Sequence, residues 1–170
     1  VAPDVFVVKG VSKERRKKYL LWEEGGRVPC LVIEVTSAST RREDLSSKKA
    51  CYERLGVEEY FLFDPLGEYL RPRFLGHRLH EGRYRPIEPA GGPLESRTTG
   101  LVLRVEGTQL RLIDAATGTP FLRPEEDVAV RKAAETARQT SEEARQIAEA
   151  ARQVAEKARR NAEAVVQAAE

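Results

Sequence analysis

Short continuous apolar runs, one stretch at helical spacing and one long heptad pattern divide this chain into three kinds of predicted element. The runs at residues 5–8 (VFVV), 30–35 (CLVIEV) and 60–63 (YFLF) lack alternation, so they predict strands buried on both faces. Between the second and third runs, Leu45, Cys51, Tyr52 and Leu55 recur on one helical face. Thr40 precedes Glu43 by three positions, a capping-box pattern, and Gly56 offers a left-handed stop. A helix is therefore predicted over residues 41–55. From residue 68 to 114, brief apolar stretches alternate with Gly, Pro and charge, predicting antiparallel hairpins with strands at 69–75, 83–87, 101–105 and 109–113. Residues 12–26 are basic over 13–18 and then turn to Tyr19, Leu20, Leu21 and Trp22, which predicts a short helix or an irregular excursion.

The last third has a different rhythm. Pro124 opens a helix with Glu125, Glu126 and Asp127 in its first turn, where the helix dipole favours acids. From Thr136 a seven-residue repeat follows: TARQTSE, EARQIAE, AARQVAE, KARRNAE, AVVQAAE. Its 4–3 spacing carries a seam from Val130 through Ala134, Ala137 and Ser141 to Ala169, and a second row (Ala133, Thr140, Ile147, Val154, Asn161, Ala168) widens it. Over residues 125–170 such a helix spans about 69 Å. Alanine buries little area, so a parallel coiled coil, a close antiparallel pairing and a solvated helix all remain open. Two domains are expected, 1–124 and 125–170, with self-association through the second.

The formal charge of +2 divides unevenly. Residues 1–124 hold 21 Lys and Arg against 17 Asp and Glu, and residues 125–170 hold 8 against 10. The basic body permits an anionic partner without requiring one. No window approaches the roughly 18 uncharged apolar residues of a membrane span, and no leader pattern is present, so a cytoplasmic protein without a membrane partner is expected. Cys30 and Cys51 fall in a predicted strand and helix, as buried apolar residues do, rather than at metal-ligand spacing. His77 and His80 form H-x-x-H, but that spacing in a strand puts the rings on opposite faces. The chain has no methionine and opens inside an apolar run, which leads us to expect either a missing N-terminal part of the fold or an unusual gene start.

Three ionisable groups stand out: Asp4 at a strand start, Glu34 inside an apolar strand, and Lys48 on the apolar face of the following helix, with Lys49 roughly 95° away. A carboxylate within such a strand is costly unless a cation meets it. Two carboxylates with a lysine suit metal-assisted attack of water on a phosphodiester. A partly buried Lys48–Glu34 ion pair, with Asp4 capping a turn, accounts for the same residues. Asp64, before Pro65, reads as a turn residue.

The series Pro3-Asp4, Glu34-Val35-Thr36-Ser37, Ser39-Thr40, Asp44, Lys48, Tyr52, Gly56-Val57, Glu59-Tyr60 and Asp64-Pro65 resembles the Uma-type family within the PD-(D/E)XK nuclease superfamily. The likeness covers about residues 3–124, and the Ala-, Arg- and Glu-rich tail is similar to tails of many members. It implies an α/β (α+β) fold with a restriction-endonuclease-like mixed sheet, N-terminally incomplete here, followed by a long C-terminal α-helix. It also implies an endonuclease acting on DNA, with Mg²⁺ or Mn²⁺ bound by Asp4, Glu34 and the backbone carbonyl of Val35, and Lys48 beside them. Thr36 stands where the superfamily pattern has its lysine; Uma-type members carry the lysine on the next helix instead. The alternative is a non-catalytic, degenerate nuclease core that binds nucleic acid or assembles through its heptad helix.

Overall fold

The apolar runs around Glu34 and before Asp64 form the two central strands of a five-stranded mixed sheet. In chain order the sheet comprises β1 (Val5–Val7), β2 (Leu31–Val35), β3 (Glu59–Phe63), β4 (Phe74–His80) and β5 (Arg83–Pro86), adjacent in that same order. β2 and β3 are parallel, with Glu34 opposite Leu62, and every other pairing is antiparallel. Parallel neighbours require a crossover, which the predicted helix supplies. The computed structural model describes residues 2–167, which divide between two compact units, Val1–Phe121 and Leu122–Glu170.

Side-chain alternation gives the sheet two covered faces. Leu31, Ile33, Phe61, Phe63 and Phe74 pack with Leu94 and Leu103 of a second, antiparallel sheet of β6 (Leu94–Ser96), β7 (Leu101–Glu106) and β8 (Gln109–Asp114). Val32, Tyr60, Leu62 and Tyr84 pack with Tyr52 and Val57 on the helical side. Glu34 and Thr36 alternate with Ile33 and so lie on this helical face, both buried.

The helix is one continuous run in three pieces: α1 (Arg41–Glu43), a π-helical turn (Asp44–Lys48) and α2 (Lys49–Leu55). Gly56 ends it at φ +83°, the left-handed stop expected of it. The capping box does not form. Thr40 Oγ1 instead accepts the Ser37 amide at 3.0 Å, and the Thr40 side chain caps nothing. The expected apolar face is also altered: the wider π-turn rotates successive residues, so Asp44 is fully buried while Leu45 and Leu55 are about 40 % exposed.

Other differences have equally local causes. Residues 5–8 were expected to be buried, but β1 is an edge strand with Val5 and Phe6 exposed. The strand expected at 69–75 begins at Phe74, because Asp64 draws the preceding loop into a turn through the amides of Leu66, Gly67, Tyr69 and Leu70. That network confirms the turn role of Asp64 and holds its carboxyl below the usual range against the upward push of burial. β6 was not anticipated. Residues 12–26 are irregular, the second of the expected alternatives. Cys30 and Cys51 are free thiols, the first buried and the second half-buried.

In the second unit, α3 (Pro124–Gln167) is the long helix that the heptads predict, with Glu126 accepting the Arg123 amide at its N-terminus. Val130, Ile147 and Val154 are exposed. The seam and row positions Ala158, Asn161, Ala162, Val165, Ala168 and Ala169 lie outside the described side chains. No helix among the described residues is long and apolar enough to cross a membrane.

Candidate active site

Glu34 is the penultimate residue of β2, near the carboxyl end of a parallel strand, where open α/β sheets place their clefts. Its side chain is fully buried beneath the helix. Oε1 accepts the Tyr52 hydroxyl at 2.7 Å, and Oε2 lies 3.0 Å from Lys48 Nζ. Burial pushes the Glu34 carboxyl above its ordinary range, outweighing the hydrogen bonds from Tyr52 and Lys48, and nearby Asp4 adds to the rise.

Lys48 closes the π-turn and reaches inward, its side chain 16 % exposed. Besides Glu34 it meets Asp44 Oδ1 at 2.8 Å, one helical step back. This contact is an ion pair without hydrogen-bond alignment, and Asp44 Oδ2 has no hydrogen-bond partner. Burial alone would lower the Lys48 ammonium's pKa, but the two carboxylates raise it, so this lysine stays charged. Lys49 is half-buried instead towards His77, and burial lowers its pKa.

Asp4 precedes β1, and its Oδ2 accepts the Val35 amide at 2.8 Å. Register explains the meeting: Val5 pairs with Ile33, so the residue before it comes alongside Glu34 and Val35. The structure thus gathers Asp4, Glu34, Val35 and Lys48. The Lys48–Glu34 pair is what the structural alternative requires as well, but the turn cap it gives Asp4 does not form: Asp4 reaches the Val35 amide on the neighbouring strand instead. Thr36, on the face of Glu34, buries an Oγ1 that has no partner. The cation beside Glu34 therefore comes across from the helix and not from two residues along the strand.

Sequence reasoning missed the contacts of two carboxylates. Asp44 was noticed only within the family-like run; its spacing of four from Lys48 was the available signal. Glu59, also fully buried, receives Arg78 at 3.0 Å, the Ser96 and Thr98 hydroxyls and the Arg97 amide. Burial pushes its carboxyl up, yet these bonds hold it below the ordinary range. Glu59 lies on the opposite sheet face from Glu34 and ties β3 to β6. His77 and His80 both lie in β4, three apart and on opposite faces. Among the described residues, no three His, Cys, Asp or Glu side chains gather as a metal cluster.

A groove of about 420 Å³ opens beside Tyr52, with Phe6, Tyr19 and Leu55 on its walls and Lys17 and Lys18 along it. Phe6 and Tyr19 rings meet at 5.4 Å within it. Of the arginines between residues 71 and 85, Arg73, Arg78 and Arg83 are engaged in the fold, by Pro65 O, Glu59 and Glu53.

No curated protein matches the chain. Residues 1–110 match the model of the Uma2 family, whose description reads "Putative restriction endonuclease". The match spans both the strand that carries Glu34 and the helix that carries Lys48, and on it the chain belongs to the Uma2 family of PD-(D/E)XK-like proteins.

Proposed function

We propose that this protein is a cytoplasmic, metal-dependent DNA endonuclease that hydrolyses phosphodiester bonds, with Asp4, Glu34 and Lys48 as its working side chains. The observation that carries this reading is convergence: a strand start, a strand end and a helix bring these groups together around one peptide unit, Glu34–Val35. The donor set fits Mg²⁺, and Mn²⁺ after it. Both are oxygen-seeking ions that take one or two carboxylates and leave other positions to water and phosphate. Asp4, Glu34 and the Val35 carbonyl would hold the ion. When bound, it supplies Lewis acidity at the phosphate and lowers the pKa of a coordinated water.

The protein's own groups do the rest. Lys48, held charged, orients water or meets negative charge developing on the phosphate. Tyr52 fixes one Glu34 oxygen. Lys17 and Lys18, beside the aromatic walls of the adjoining groove, suit a nucleic-acid strand. Nicking of supercoiled plasmid with Mg²⁺ or Mn²⁺ tests the reading. Glu34→Gln and Lys48→Ala are each expected to lower the rate by roughly 100-fold or more; cleavage that persists in either variant overturns the roles assigned here.

A second reading, an assembly protein whose working part is α3, is favoured by the exposure of Ile147 (71 %) and Val154 (70 %) on one row of that helix. It predicts an oligomer that Ile147→Lys with Val154→Lys converts to monomer in sedimentation, and no metal-dependent nicking. Equal masses for the two proteins would leave α3 without an assembly role.

A further inference from the structure

A single ammonium lies between two buried carboxylates. Lys48 Nζ is 3.0 Å from Glu34 Oε2 and 2.8 Å from Asp44 Oδ1. Both Glu34 oxygens are engaged, one by Tyr52 and the other by this lysine. A divalent cation that takes Glu34 competes with the ammonium for the same oxygen and repels it. Held by Glu34 alone, Lys48 would swing out on its flexible four-carbon stem, since its side chain already touches solvent.

Asp44 answers that difficulty. It is fully buried, its Oδ2 has no partner, and Lys48 is the cation against it. Losing that cation would leave a buried carboxylate uncompensated, a strongly unfavourable outcome. The carboxylate is itself well anchored. It opens the π-turn that ends in Lys48, and its backbone carbonyl accepts the Tyr60 hydroxyl at 2.8 Å, tying this turn to β3. We infer that Asp44 is a positioning residue: it keeps Lys48 at the reaction centre when Glu34 turns its carboxylate to the metal. The inference rests on the nuclease reading above.

The test follows the lysine ammonium and not only activity. In protein labelled with ¹⁵N-lysine, the Lys48 ammonium signal is identified by its loss in Lys48→Arg and followed during titration with MgCl₂. The wild-type signal is expected to persist to saturation. In Asp44→Asn it should be present without Mg²⁺ and vanish as Mg²⁺ binds, while Asp44→Glu keeps it. Persistence in the Asn variant overturns the inference alone, and so does a tenfold loss of Mg²⁺ affinity in that variant, which would make Asp44 a metal ligand. A wild-type protein that binds no Mg²⁺ overturns the nuclease reading and this inference together. Should the Asn variant fold poorly, nicking rates decide: Asp44→Glu should retain most activity. Asp44→Ser should lose roughly 10- to 100-fold in the Lys48 protein and nothing further in Lys48→Ala. Equal losses in both backgrounds overturn it.

Discussion

Glu34 is an anomaly in the sequence itself, because a carboxylate among Leu31, Val32, Ile33 and Val35 has to be met by something. What meets it is a tyrosine hydroxyl as well as a lysine, and by its spacing the tyrosine reads as plain core. His77 shows the converse. Its spacing from His80 sets the two rings on opposite faces, and its informative feature is burial against Tyr60 and Tyr84, with an orphaned Nδ1. Burial, helped by the Lys49 charge, pulls its pKa from 6.5 down to about 4. The unfolded chain therefore takes up a proton first as pH falls. His77 costs nothing above pH 6.5 and removes about 3 kcal/mol of stability between pH 6.5 and 4. In urea melts at pH 7 and pH 4.5, the wild type should lose about 2–3 kcal/mol more than His77→Phe; equal losses would mean that the imidazole charges freely in the native state.

At the scale of elements, the helix after β2 was legible in its limits and not in its rotation. Gly56 as terminator depends only on local backbone preference, which sequence reports well. Its φ of +83° is open to solvent, with nothing within 4 Å of where a methyl group would stand, so the cost of Gly56→Ala is conformational strain alone. That substitution should lower stability by about 1 kcal/mol in denaturant melts, while Gly82→Ala, at a similar φ of +75° beyond β4, should cost a comparable amount. A Gly56→Ala protein as stable as wild type would remove the left-handed stop from the account. The π-turn, by contrast, has no local signature here. It is selected by what it permits, a buried Asp44 and an inward Lys48 on consecutive turns. Ideal 100° spacing found Lys48 and misplaced Leu45 and Leu55, since the extra residue in the turn shifts everything around it.

At the scale of the first unit, the two sheets pack together, and Gly76 of β4 leaves room for Leu94 of the second sheet. A methyl group there would stand 2.9 Å from both Leu94 and Phe61 and 3.1 Å from Ile87. Gly76→Ala should therefore destabilise by about 1–3 kcal/mol through overpacking, read as a lower denaturation midpoint with unchanged slope. An unaffected midpoint would show that the sheets have room to part. Glu59 works at the same seam, joining residues separated by 37 to 39 positions through Ser96, Arg97 and Thr98. No window of sequence spans that separation, which is why this carboxylate passes as an ordinary strand residue.

Local chemistry sufficed for the strands around Glu34 and Tyr60, the Gly56 end of the helix between them, the turn at Asp64 and the long heptad helix. Each depends on neighbours within a few positions, and apolar spacing records those neighbours directly. Long-range placement lay with the packed fold: which edge β1 occupies, that Asp4 lands on the Val35 amide, and that Glu34 and Asp44 share one lysine. These depend on register across strands and on the rotation of a helix over a sheet. Both are chosen by the burial of the whole core, which no single stretch of the chain encodes.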